Sequence, residues 1–138
     1  MKAKVLRNAG FTLVEIMIVV AIIGLLAAIA VPGFIRARKR SQATAVLNDA
    51  RVLDGAKDQY AIESNRTGSS AVQAGMLQPY LKPGSRLYTA ATGTGSTVAD
   101  LVGNDYDLGT FDGNIKVSTT TKTSFSDVID ASTFWGAY

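Results

Sequence analysis

One acid stands alone in an apolar run. From Phe11 to Ile35 the chain reads FTLVEIMIVVAIIGLLAAIAVPGFI, 25 residues with a single charge, Glu15. A carboxylate near the centre of a membrane span costs about 2.5–3.5 kcal/mol, and less near an end. Glu15 lies one turn from the start of the run. Two uses are open to it: to reach the interface unpaired, or to meet a cation. An amine freed at Phe11 would lie one helical turn away, near the positive end of the helix dipole.

Other chemistry is narrowed by composition. Cysteine and histidine are absent. That removes disulfides, thiolate chemistry, Cys/His zinc sites and His general-base catalysis. Only oxygen ligands remain, so calcium or magnesium is the metal class left open. Asp100, Asp105, Asp107 and Asp112 fall in a Gly-containing loop region. Their spacing matches no EF-hand pattern, and acidic surface turns account for them better than a calcium site does. No cofactor is implied, and nothing points to nucleic acid.

These residues need a scaffold, and 138 residues suffice for one domain. Lys2, Lys4 and Arg7 precede the apolar run, and Arg36, Arg38, Lys39 and Arg40 follow it. Residues 41–138 hold seven Lys/Arg against ten Asp/Glu. A basic end joined to a mildly acidic body suggests a membrane-associated end. The run is long enough to span a bilayer, which takes about 20 residues. A core helix is disfavoured, because the chain has little other apolar mass to cover a helix that is greasy all round.

Past the basic flank, Ala43, Val46, Leu47, Ala50, Leu53 and Tyr60 recur at three- and four-residue spacing. This predicts an amphipathic helix continuous with the apolar one. Gly55 is a soft spot, and Gly68 is the expected stop. Met76 to Leu81 reads as a helical turn before Lys82-Pro83-Gly84. Arg86 to Ala91 reads as a strand, followed by a flexible Ala90–Thr97 loop. Asn114 to Thr121 is a better strand, with Asp112-Gly113 a turn signal before it. Phe134, Trp135 and Tyr138 are expected to pack on this core, as a last strand or beside a truncated end.

The opening also resembles a secretory signal, with Ala28-Ile29-Ala30 a cleavage-like triplet, but an h-region is only about 7–15 residues long. A more specific resemblance lies in Ala9-Gly10-Phe11-Thr12-Leu13-Val14-Glu15-Ile16. It resembles the processing signature of type IV pilins and of type II secretion pseudopilins. The resemblance implies a leader cut after Gly10 by a prepilin peptidase, N-methylation of Phe11, and a role for Glu15 in assembly. It implies that Gly24 and Pro32 bracket a stretch where the helix loosens in filaments. Independently, Pro32 cannot donate to the helix ladder, and Gly24 adds backbone freedom.

A second segment, Leu53-Asp54-Gly55-Ala56-Lys57-Asp58-Gln59-Tyr60-Ala61-Ile62-Glu63, is similar to one found in short pilin-like proteins. The C-terminal Cys pair of many pilins is missing. Major pseudopilins bind calcium in a C-terminal loop comparable to the aspartate region here.

The expectation is an α+β subunit, with a long N-terminal helix packed through its second half on a small antiparallel sheet. The expected parts are a leader at 1–10, a membrane or filament-core helix at 11–35, an amphipathic half at 36–65 and a β-rich part at 66–138. The expected function is structural and non-enzymatic. The resemblance implies a homopolymer, the peptidase, membrane lipid, and an inner-membrane assembly platform with ATPase-driven machinery as partners. It also implies an inner-membrane precursor whose body lies outside the cytoplasm. The flanking-charge count is slightly adverse to that orientation, which rests on the resemblance. Two other readings stand: a periplasmic pseudopilus subunit, and a membrane-anchored binding domain that does not polymerise.

Overall fold

The computed structural model describes residues 10–138. The expected leader's basic residues, Lys2, Lys4 and Arg7, lie outside them. The dominant element is α1, Leu13–Ser64, which runs unbroken through Gly24 and Pro32. The chain divides into two units, one up to Ala37 and the other from Arg38 to Tyr138.

In the first unit every residue from Gly10 to Ala37 is exposed. The helix is long and apolar enough to cross a membrane, and none of its apolar window is buried among the described residues. Such a surface is stable only when lipid or protein covers it.

The second unit builds a core on the inner stripe of α1. Ala43, Val46, Ala50 and Leu53 are fully buried. Around them come α2 (Ala74–Leu77), a 3-10 turn (Gln78–Tyr80) and α3 (Arg86–Ala90). Three short strands follow: β1 (Thr97–Ala99), β2 (Asp105–Asp107) and β3 (Lys116–Val117). They form an antiparallel sheet in the order β1-β2-β3, with Val98 opposite Tyr106 and Tyr106 opposite Val117. All three lie on the buried face, which joins the sheet to the helix core. The buried Tyr106 hydroxyl donates to the Val46 carbonyl at 3.0 Å. Two short helices, α4 (Thr119–Ser124) and α5 (Ala131–Phe134), complete the unit. The α+β architecture is the expected one.

Several local expectations are corrected. The chain leaves α1 at Asn65, with φ +50, rather than at Gly68. The Arg66 amide donates back to the Ala61 carbonyl at 3.0 Å, the six-to-one bond of a Schellman turn. Arg86 to Ala90 is helical, not extended, because the Ser85 side chain caps it by accepting from the Tyr88 amide. The strand expected to reach Thr121 stops at Val117. Ser118 then caps α4, and the buried Thr121 turns its hydroxyl onto Asp100 at 2.5 Å. The terminal aromatics pack without a strand: Trp135 is buried at the end of α5, and Phe134 meets it edge-on at 5.0 Å.

Candidate functional site

The site lies at the start of α1. Thr12 precedes the first helical residue, and Glu15 is the third. The Glu15 carboxylate accepts from the Thr12 amide and from the Thr12 hydroxyl, both at 2.8 Å. In return the Glu15 amide donates to Thr12 Oγ1 at 3.2 Å. This reciprocal capping box satisfies amides that have no partner within the helix. The signal was present as Thr-x-x-Glu, and the sequence reading did not use it.

The arrangement answers the question of the lone acid for the uncut chain. There the Phe11 nitrogen is part of a peptide bond and carries no charge. Glu15 therefore takes the donors of its own helix start. Cleavage between Gly10 and Phe11 would convert that nitrogen into an ammonium group, a stronger partner for a carboxylate. Phe11, Glu15, Ile16, Ile18 and Val19 line one open depression on the helix surface. Gly10 is exposed next to it. Gly24 has open space where a side chain would stand, and Pro32 sits inside the continuous helix.

The four aspartates do not form a shared site. Asp100 is buried; one oxygen accepts from the amides of Val102 and Asn104, at 2.8 and 2.9 Å, and the other from Thr121. Asp107 accepts from the Gly109 amide, and Asp112 from the Gly68 amide. Asp105 is exposed on β2. Among the described residues no group of three or more metal-ligating side chains gathers. Asp100 and Asp107 organise turns, and Asp112 ties its loop to the segment after α1.

Residues 6–31 match the family model described as the prokaryotic N-terminal methylation motif. Over 104 residues the chain is 34% identical to type II secretion system core protein G of Klebsiella pneumoniae, covering 74% of each. It is 45% identical over 69 residues to the type IV major pilin protein PilA of Myxococcus xanthus, half of this chain and 31% of that one. It is 43% identical over 81 residues to the type IV wide pilus major component PilA4 of Thermus thermophilus, 56% of this chain and 58% of that one. No solved structure matches. The chain belongs to the family of type IV pilins and type II secretion pseudopilins.

Proposed function

We propose that this chain is a structural subunit of a type IV pilus-like filament, not an enzyme, and that it assembles through the first half of α1. One observation carries the reading: the whole apolar stretch from Leu13 to Ile35 is exposed and holds a single acid, Glu15, in the first turn of α1. In the precursor, inner-membrane lipid covers that stretch. In the filament, copies of the same stretch cover one another.

Cleavage follows Gly10, and the new Phe11 amine is methylated. That amine then draws the Glu15 carboxylate of a neighbouring copy away from Thr12, which cancels two charges that an apolar interior disfavours. Gly24 and Pro32 lower the cost of unwinding α1 locally while copies pack. The partners are the peptidase, the inner-membrane platform and its ATPase-driven machinery, and further copies of the chain. Contacts of this kind do not close on themselves, so they extend into a filament.

A periplasmic pseudopilus is the second reading. It is favoured by the length of the match to the type II secretion protein, which reaches well into the C-terminal unit. Neighbouring genes for a secretion gate or for a retraction motor separate the two. Mass spectrometry of the mature N-terminus tests what both readings share. Methylated Phe11 is expected; an intact Met1, or a start at Val31, overturns the reading and leaves a non-polymerising anchor.

A further inference from the structure

The second half of α1 has an outer seam opposite its buried stripe. Thr44, Asn48, Arg51, Gly55, Asp58 and Ile62 are all exposed there. Their spacings alternate between four and three residues, which aligns them on one face in the manner of a coiled-coil seam.

Three features of the seam serve nothing within the subunit. Ile62 is 80% exposed. Gly55 weakens the helix relative to alanine, yet no atom stands within 4 Å of the place its Cβ would occupy. Arg51 and Asp58 carry opposite charges, and among the described residues neither has an ion-pair partner. Other charged groups on this part of the helix are engaged: Asp54 with Lys57, and Asp49 with Arg86. Seven residues separate Arg51 from Asp58, about 10.5 Å along the axis. They are too far apart to pair within one helix.

A parallel second copy advanced by seven residues resolves all three features together. Its Arg51 comes level with Asp58 of the copy behind. Its Gly55 comes level with Ile62 of that copy, so the missing side chain leaves a notch for the exposed one. We propose that this seam is a contact between parallel copies of the chain, built from an Arg51–Asp58 pair and an Ile62 knob in a Gly55 notch. The inference rests on the filament reading and gives it a register. In each proposed pair the cation precedes the acid, Phe11 before Glu15 and Arg51 before Asp58, so one direction of stagger serves both.

The test uses the full chain in cells that assemble the wild type, with sheared filaments quantified against total processed subunit. R51D and D58R each place like charges together and should lower filament yield by about tenfold or more. The double variant R51D/D58R restores the pair in reverse and should return to within about twofold of wild type. G55L supplies an independent readout, because leucine strengthens the helix. Thermal stability of the subunit should rise while filament yield falls. Single variants that assemble normally, a double variant as poor as the singles, or G55L filaments at wild-type yield each overturn the seam. With wild-type filaments present, those results leave the filament reading standing. Absence of filaments from the wild type removes that reading, and the seam with it.

Discussion

The two halves of α1 solve opposite problems with one secondary structure. The half after Arg38 turns small and apolar residues inward, and the chain's own sheet and short helices cover them. The half before it is apolar all round, and the described residues supply no cover. A hydrophobic helix face is therefore not by itself a sign of a core. What matters is whether enough chain remains to bury it. Here the remainder is spent on the second unit, and the first half must be covered from outside.

Substitutions of similar size should separate the halves. Leu53→Ala removes a fully buried side chain and should cost about 2–5 kcal/mol in urea unfolding of the second unit. Ile23→Ala, in the exposed half, should leave that transition unchanged within about 0.5 kcal/mol. The buried Trp135, the sole tryptophan, reports the unfolding by fluorescence. Equal effects from the two variants would dissolve the distinction.

A somewhat smaller effect comes from the charge buried in the second half. Lys57 is 2% exposed; it pairs with Asp54 at 2.8 Å and donates to the Gly113 carbonyl. Removing the cation alone leaves Asp54 uncompensated. Lys57→Ala should cost about 3 kcal/mol, the lower end for a broken buried pair because Asp54 is partly exposed. Replacing both, as Lys57→Met with Asp54→Leu, should recover much of the loss in the same unfolding measurement.

The smallest effect is a pH dependence confined to the second unit. Burial pushes the Tyr106 phenol well above its ordinary value. A phenol held neutral in the fold but free to ionise when unfolded stabilises the fold below about pH 10, the unfolded value. That contribution declines as pH rises above it. Unfolding free energy should therefore fall in alkali, and Tyr106→Phe should flatten that part of the profile. A mutant profile identical to wild type would assign the alkaline loss to other groups.

The sequence was legible where a long pattern repeats. The inner stripe from Ala43 to Leu53 is buried as its spacing required, and Ile115 and Val117 face inward while Lys116 between them stays exposed. Legibility failed where one side chain decides. A five-residue helix such as Arg86–Ala90 is too short to show a period, and its start rests on the Ser85 cap. The Thr-rich run after Ser118 is strand-prone by composition, yet its cap and the bond from Thr121 to Asp100 make it helical. The end of α1 rests on Asn65 accepting a left-handed conformation, a role more often filled by glycine. At the candidate site the apolar run and Glu15 were visible at once. The engagement of Glu15 by Thr12 needed the helix start to be located.

Glu15→Leu tests the central claim most directly. The variant removes the acid while keeping the apolar surface, so membrane insertion and cleavage after Gly10 should proceed as in the wild type. Cells should accumulate processed subunit in the membrane, and electron microscopy should find no filaments. Filaments at wild-type abundance from Glu15→Leu would contradict the account.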